Sequence, residues 1–142
     1  MPEPKNFDKN VFINCPLDND YRQLMIATIF TVKYFKYIPR IALESADSSE
    51  TRIDKILGLI EQSKFGIHDL SRMISSKKNE HYRMNMPFEL GVDYGCKKLK
   101  GGIWNSKKIL ILDKEQYRFR KALSDLSGSD IKSHNDEVNK VI

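Results

Sequence analysis

Residues 53–69, IDKILGLIEQSKFGIHD, join a helix pattern to a strand pattern across a short connection. Aliphatic side chains recur at spacings of three and four, the period of one helix face: Ile53, Ile56, Leu57 and Ile60. Ser48-Ser49-Glu50 is predicted to cap this helix. The apolar run at residues 65–68 follows at once and ends at Asp69. A helix that leads so directly into a strand is typical of folds in which helices and strands alternate.

Apolar runs that predict strands lie on both sides of this stretch. They occupy residues 10–14, a segment at 35–43 that is broken by Pro39-Arg40, and residues 108–112. The first should end before Pro16, because proline has no N–H to donate to a strand ladder. The runs are almost wholly apolar rather than alternating, which is typical of parallel strands buried on both faces.

Helix patterns separate these strands. A helix over residues 21–32 is predicted to follow a cap at Asp18 or Asn19. Another begins near Pro87, as proline is favoured in a first helical turn. One side of that helix is predicted to be apolar and to carry Phe88, Val92, Cys96 and Leu99. A last helix is predicted at residues 116–123.

The alternation predicts one α/β domain over residues 1–142. We expect a three-layer, flavodoxin-like fold with a central parallel sheet and right-handed crossovers. Residues 71–85 are predicted to form a loop, and the tail from Ser124 is polar and weakly patterned.

Composition restricts the class of protein. The chain has 142 residues, of which 40% are hydrophobic and 30% charged, as in ordinary globular domains. Its apolar runs are far shorter than the roughly 20 residues that span a bilayer, and its start lacks the apolar core of a signal peptide. Cys15 and Cys96 form no CxxC pair, which argues against a disulfide scaffold or a zinc site. We therefore expect a cytoplasmic protein with no membrane partner.

The net charge of +5 is concentrated in lysines on either side of Gly101-Gly102. A nucleic-acid site would place aromatic side chains among such charges, and here only Trp104 does so. We expect a solvated surface that attracts anionic small molecules rather than a nucleic-acid partner.

Polar side chains collect where the predicted strands end. They are Asn14, Cys15, Arg40, Glu44, Asp69, Ser71 and Arg72. Each alone fits a cap or a turn. Because ligands of parallel α/β sheets bind outside the carboxyl ends of the strands, the set together predicts a binding crevice at that edge.

Glu89 lies in the first turn of the helix that begins near Pro87. A carboxylate there either complements the helix dipole, worth about 0.3–1 kcal/mol, or acts on a ligand in the crevice, and spacing does not choose between them. His68 is predicted to be structural, and neither His81 nor His134 has a partner at metal-ligand spacing. The absence of P-loop, GxGxxG and GxSxG motifs removes support for ATPase, dehydrogenase and serine hydrolase activities.

Four ordered motifs resemble those of small bacterial proteins related to Toll/interleukin-receptor (TIR)-like domains and nucleoside 2-deoxyribosyltransferases. They are Val11-Phe12-Ile13-Asn14-Cys15-Pro16, Pro39-Arg40-Ile41-Ala42-Leu43-Glu44, His68-Asp69-Leu70-Ser71-Arg72 and Asn85-Met86-Pro87-Phe88-Glu89-Leu90-Gly91. The resemblance implies that Glu89 attacks or stabilises the anomeric carbon of a ribosyl or deoxyribosyl group, and that Asp69 positions the base or sugar. It also implies a set of substrate-binding residues: Asn14, Cys15, Pro16, Arg40, Glu44, Ser71, Arg72, Asn85 and Met86.

The implied reaction is cleavage or transfer of an N-glycosidic bond without a resident cofactor or metal, and NAD or a related nucleotide or nucleoside is the implied substrate. Arg72 or Arg40 could hold its phosphate by bidentate bonds. A role as an antiphage defence effector would follow. The chain differs from many TIR-like NAD hydrolases in lacking their Ser/Thr-x-x-Cys-x-x-Glu pattern before Glu89.

Two other functions stay open at this point. The resemblance implies a final helix that the chain lacks, which would favour a nucleotide-sensing module that assembles with itself or with a partner protein. A phosphoacceptor domain would use Asp69 or Asp113, although no acidic pair for a metal follows the first strand.

Overall fold

The computed structural model describes residues 3–44, 47, 49–73, 75 and 84–142. Strands and α-helices alternate along these residues. In chain order they are β1 (Asn10–Asn14), α1 (Arg22–Tyr34), β2 (Ile38–Arg40), α2 (Arg52–Glu61), β3 (Phe65–Asp69), α3 (Asn85–Leu99), β4 (Lys108–Asp113) and β5 (Lys132–Ser133). Short 3-10 helices occur at Asn19–Tyr21, Gly102–Ser106, Arg118–Lys121, Ser124–Leu126 and Val138–Lys140.

The strands form one five-stranded parallel sheet in the order β2-β1-β3-β4-β5. β1 and β3 pair at its centre, with Phe12 opposite Gly66 and Asn14 opposite His68. This is the strand order of flavodoxin-like folds, which bind ligands where the order reverses, beside β1. The predicted α/β fold with a central parallel sheet is confirmed.

Helices cover the two faces of the sheet in separate layers. Successive residues of a strand point to opposite faces, so each strand offers side chains to both layers. Val11 of β1 packs with Leu24 of α1. The next residue, Phe12, packs on the other face with Ile60 of α2 and Val92 of α3. The predicted three layers follow from this alternation, with α1 on one side and α2 and α3 on the other.

The face beside α1 is only partly covered. An apolar groove of about 330 Å³ runs from α1 to β4, and its lining includes Phe35, Tyr37, Phe65 and Leu110. Phe35 is 64% exposed and Leu110 is 39% exposed. Helices usually cover both faces of a parallel sheet. This face of the sheet is therefore less covered, within the described residues, than is usual for a parallel sheet.

The helix α2 begins later than predicted. Its N-cap is Thr51, whose hydroxyl oxygen accepts a hydrogen bond from the Asp54 backbone N–H at 3.2 Å. Asp54 adds a negative charge in the first turn, where the helix dipole favours it. The prediction that Ser48-Ser49-Glu50 caps the helix is therefore wrong, and Ser48 itself lies outside the described residues.

β2 contains the proline that was predicted to break the second apolar run. Pro39 lies at the middle of the strand and is opposite Val11 of β1. β2 is an edge strand of the sheet. An edge strand tolerates proline, because one side of its backbone needs no ladder hydrogen bonds.

The C-terminal part of the chain also differs from the prediction. Only a 3-10 helix, Arg118–Lys121, forms where a helix at residues 116–123 was expected. Tyr117 has a φ of 64°, outside the right-handed helical region, so a regular helix cannot run through it. The weakly patterned tail supplies β5, which pairs with Leu112 and Asp113 of β4.

The inward face of α3 is only in part the predicted apolar side, since Val92 and Cys96 pack on the core but Phe88 and Leu99 do not. Phe88 is 58% exposed and Leu99 is 87% exposed, whereas Glu89, Leu90 and Asp93 are buried. Two carboxylates thus point into the protein from this helix. Apolar spacing succeeded for Val92 and Cys96, which pack against the Phe12 cluster, but it could not reveal Asp93, which packs against polar partners.

No helix in the described ranges is long and apolar enough to cross a membrane. The predicted loop at residues 71–85 falls mostly outside those ranges. His81 is among the residues of that loop that are not described.

Candidate functional site

The best candidate site is a cleft at the carboxyl end of β1, between the first turns of α2 and α3. Two adjoining pockets form it and share Arg52 and Asn85. One has a volume of about 420 Å³, and its other lining residues are Cys15, Pro16, Leu17, Met84 and Met86. The second has a volume of about 220 Å³, and its other lining residues are Ile53, Ile56, Phe88 and Glu89. We call the two together the Glu89 cleft.

Glu89 lies in the wall of this cleft and is only 5% exposed. Its carboxylate makes no hydrogen bond or ion pair with another described residue. Burial raises the pKa of Glu89 to about 7, and the charge of Arg52 offsets this only in part. A carboxyl group that titrates near neutral pH can act as a general acid or base, or as a nucleophile once ionised.

Asn14 holds the first turn of α3 against the end of β1. Its Nδ2 atom donates to the backbone oxygen of Met86 at 3.0 Å and lies 3.0 Å from Nδ1 of His68. Because the amide nitrogen is the donor, Nδ1 of His68 must accept. The proton of the neutral imidazole is then on Nε2, which lies 2.9 Å from Asp93 Oδ2.

The network continues through Asp93 to a buried lysine. Lys107 Nζ lies 3.0 Å from Asp93 Oδ1 and also donates to the backbone oxygens of Ile60 and Ser63. The side chains of His68, Asp93 and Lys107 are all fully buried. An ion pair removed from water in this way persists only when further hydrogen bonds satisfy it. We call Asn14, His68, Asp93 and Lys107 the α3 network.

Gly66 of β3 leaves the space that the α3 network needs. A Cβ atom at this position would lie 2.2 Å from Asp93 Oδ2 and 3.0 Å from His68 Nε2. The strand therefore requires glycine for a close approach rather than for an unusual backbone angle. The space at Gly66 lets His68 of β3 contact Asp93 of α3, and this contact helps to fix the position of α3 and therefore of Glu89.

Asp69 lies in a second buried cluster, at the end of β3. We call Tyr21, Asp69, Ser71 and His134 the Asp69 cluster. Its Oδ2 atom accepts from the Tyr21 hydroxyl at 2.5 Å and lies 2.9 Å from His134 Nε2. Its Oδ1 atom accepts from the backbone N–H of Ser71 at 2.8 Å and from the Ser71 hydroxyl. Burial alone would raise the pKa of Asp69, but the hydrogen bonds from His134, Ser71 and Tyr21 outweigh it, so this pKa is lowered.

Serine, histidine and aspartate meet in the Asp69 cluster without forming a hydrolase triad. In such a triad the aspartate contacts one ring nitrogen of histidine and the serine contacts the other. Here both Asp69 and Ser71 contact Nε2 of His134. The other ring nitrogen, Nδ1, accepts a hydrogen bond from the backbone N–H of Asp136 at 3.0 Å. The histidine proton is therefore on Nε2 and points at the carboxylate, which is a structural arrangement.

Cys15 lines the cleft as a protonated thiol. Burial raises the pKa of Cys15 to about 12, and the charges of Asp69, Asp18 and Glu89 act in the same direction. Only a thiolate is a strong nucleophile. Cys15 can therefore contribute shape and polarisability to the cleft, but not nucleophilic attack near neutral pH.

The arginines that were predicted to bind phosphate are paired with carboxylates. Arg40 Nη2 lies 2.7 Å from Glu44 Oε1, and Arg40 Nη1 lies 3.3 Å from Gln62 Oε1. Arg72 contacts both carboxylate oxygens of Asp18, at 3.2 and 3.3 Å. Each positive charge is already compensated within the protein.

The structure brings together some of the predicted site residues and separates others. Cys15, Pro16, Asn85, Met86 and Glu89 line the Glu89 cleft, and Asn14 lies behind it. The described lining does not include Arg40, Glu44, Asp69, Ser71 or Arg72. The roles predicted for those five stay predictions, and the contacts given above occupy their polar groups.

Sequence reasoning missed Arg52, which lines both pockets, and His134, which completes the Asp69 cluster. Arg52 could have been noticed as the first residue of a helix that follows a strand end. No signal in the sequence connects His134 with Asp69. Asp113, the other predicted phosphoacceptor, is fully buried and bound by Arg118.

No protein-family model matches this chain, and a search of curated proteins found no significant match. Among the described residues, no cluster of three or more His, Cys, Asp or Glu side chains is placed to hold a metal ion. The case for a function therefore depends on the geometry and charge of the Glu89 cleft.

Proposed function

We propose that the protein cleaves or transfers an N-glycosidic bond of NAD or a related nucleotide or nucleoside, with Glu89 as the catalytic carboxylate. The observation that carries this proposal is a single one. A buried carboxylate with no described hydrogen-bond partner lines a cleft at the switch point of a parallel sheet, where ligands of such folds bind.

The chemistry of the bond explains why one carboxylate is useful. When the bond between C1′ and the base nitrogen breaks, its electron pair leaves with the base, and positive charge develops on the sugar carbon. Ionised Glu89 would stabilise that charge or form a bond to C1′. Water, or the hydroxyl or amine of an acceptor, would then attack C1′, which breaks any bond to Glu89 and restores its carboxylate. The proton that the acceptor loses goes to the departed base, or to solvent when nicotinamide leaves as a neutral molecule.

The larger pocket suits the base of a nucleoside or nucleotide. Its volume of about 420 Å³ falls within the range of roughly 300–1,000 Å³ for small-molecule sites. Leu17, Met84 and Met86 offer apolar and thioether groups to the face of a base. The smaller pocket, which holds Glu89, would then receive the sugar.

The test incubates purified protein with NAD and, separately, with a panel of nucleosides and nucleotides. Free base is measured by chromatography and mass spectrometry. Glu89→Gln replaces the carboxylate with an amide of the same shape, and Glu115→Gln, at an exposed position outside the cleft, is the matched control. Base release by the wild type and by Glu115→Gln, but not by Glu89→Gln, would support the proposal. Equal release by all three proteins would overturn it.

A second candidate is a nucleotide-sensing module that assembles with other copies of itself without turnover. The apolar groove between α1 and β4 favours it, because exposed apolar surface of this kind often marks an interface. This function predicts oligomers in light scattering that depend on added nucleotide, with no base released.

A further inference from the structure

Arg52 is the cation that the Glu89 cleft offers to a ligand. It is the first residue of α2, is exposed, and lines both pockets of the cleft. Within the described residues no carboxylate forms an ion pair with it. Its positive charge nevertheless lowers the pKa of Glu89, so the guanidinium affects the ionisation of the buried carboxyl.

The other two arginines near strand ends differ from Arg52 in this respect. Arg40 is held by Glu44 at 2.7 Å, and Arg72 is held by Asp18 at 3.2 Å. A phosphate would have to displace a carboxylate to bind either of them. At Arg52 no carboxylate of the described residues has to be displaced.

From this contrast we infer that Arg52 binds a phosphate group of the substrate, so that the cleft accepts nucleotides in preference to free nucleosides. The inference depends on the proposed function and narrows its substrate class. A guanidinium matches phosphate oxygens with two parallel hydrogen bonds. The base and the sugar carry no negative charge with which a guanidinium could pair, whereas a phosphate does.

The charges of the cleft explain why the cation is needed there. A phosphate near Glu89 would repel its carboxylate and hold it protonated. Arg52 compensates the phosphate and also favours ionised Glu89. The same guanidinium therefore serves both binding and the charge state of the catalytic group. A 5′-monophosphate and the pyrophosphate of NAD share this chemistry, and the compounds tested below distinguish them.

The experiment compares matched pairs of substrates, each a 2′-deoxynucleoside and its 5′-monophosphate, together with NAD. The full chain is assayed as wild type, Arg52→Gln, Arg52→Lys and Arg120→Gln, the last an exposed arginine outside the cleft. Base release gives kcat/KM for each compound. Calorimetry gives the affinity of each compound for the Glu89→Gln protein, with and without Arg52→Gln.

We expect kcat/KM for phosphorylated compounds to fall about ten- to hundredfold in Arg52→Gln, the range of a hydrogen bond to a charged group. Arg52→Lys should recover part of the loss. Turnover of the unphosphorylated partner should fall less in Arg52→Gln, only as far as the loss of the charge that favours ionised Glu89 requires. Equal kcat/KM for nucleoside and nucleotide in the wild type would overturn the inference, as would an equal loss on both in Arg52→Gln.

The binding arm separates this inference from the proposed function. If no compound loses its base, the proposed function fails, and affinity alone decides the role of Arg52. Tighter binding of the 5′-monophosphate or NAD than of the nucleoside, lost in Arg52→Gln, would still support the inference. Failure of all phosphorylated compounds to bind would overturn it as well.

Discussion

Nε2 of His134 lies 2.9 Å from Oδ2 of Asp69, although 65 residues separate the two along the chain. Both side chains are 1% exposed or less. The contact attaches the C-terminal segment after β5 to the end of the central strand β3. It also satisfies a carboxylate that would be costly to bury alone.

The Asp69 cluster should make the protein sensitive to acid. The pKa of Asp69 is lowered in the folded state, so its contribution to stability is present above the ordinary aspartate pKa of about 4 and is lost as pH falls below it. Tyr21→Phe removes one donor and should cost about 1.5–3 kcal/mol at pH 7. Urea denaturation of both proteins from pH 3 to 7 tests this. A constant difference between them over that whole range would contradict it.

Gly66→Ala should destabilise the protein severely. The new Cβ would approach Asp93 Oδ2 to 2.2 Å, so the α3 network would have to move. We expect a loss of several kcal/mol, roughly that of breaking a buried ion pair (about 3–5 kcal/mol). Gly95→Ala in α3 is the control, because nothing lies within 4 Å of its added Cβ. It should stabilise the helix by about 0.5–1 kcal/mol. Similar melting temperatures for the two variants would refute the close approach.

Asp93 and Lys107 should be coupled in stability. Lys107→Met leaves the Asp93 carboxylate buried without its counter-charge, and Asp93→Asn leaves the lysine in the same situation. Each single change should cost about 3–5 kcal/mol. The double variant should cost less than the sum of the two, by about 0.5–3 kcal/mol. Strict additivity in denaturation experiments would show that the two charges do not interact.

Activity should depend on the ionisation of Glu89. Since the pKa of Glu89 is about 7, the ionised form accumulates as pH rises through 7, and so should the rate of base release. Arg52→Gln removes a charge that lowers this pKa, so the rising limb of the profile should move to higher pH. Profiles of kcat measured from pH 5 to 9 would test both statements. If the rising part of the kcat profile occurs at the same pH in Arg52→Gln as in the wild type, the charge of Arg52 does not affect the ionisation of Glu89.

Glu89 should also affect stability, in the opposite direction to Asp69. Its pKa is raised in the folded protein, so its favourable contribution is present below the unfolded value of 4.5 and is lost as pH rises through about 7. Glu89→Gln cannot ionise and should therefore be more stable than the wild type above pH 8, by up to about 3 kcal/mol. Thermal melts at pH 6 and 8.5 would measure this gain. If the difference in stability between the wild type and Glu89→Gln is the same at both pH values, this prediction is wrong.

The sequence was sufficient for β1, β3 and β4, because their apolar runs are short, separate and bounded by polar residues. Residues 65–68 and 108–112 are examples, and both are strands in the structure. The order of helices and strands then defined the parallel sheet. Pro39 misled because proline marks a break in a central strand but is tolerated in an edge strand, and strand order is not visible in a local pattern.

The site was less predictable, because its parts depend on contacts between distant residues. Glu89 and Asp93 lie on the inward face of α3, where a search for apolar spacing ignores them. His134 lies in a tail without periodicity, and only the folded chain places it beside Asp69. Arg40 and Arg52 look alike in the sequence. Their difference is that Arg40 has a carboxylate partner, whereas Arg52 has none among the described residues.

The rate of base release by Glu89→Gln relative to the wild type is the most direct test of the central claim. It should be measured on the best substrate of the panel, after circular dichroism has shown that both proteins are folded. We expect a loss of at least about a hundredfold, the smaller end of what a positioned acid or base contributes. A Glu89→Gln protein that releases base at the wild-type rate would contradict it.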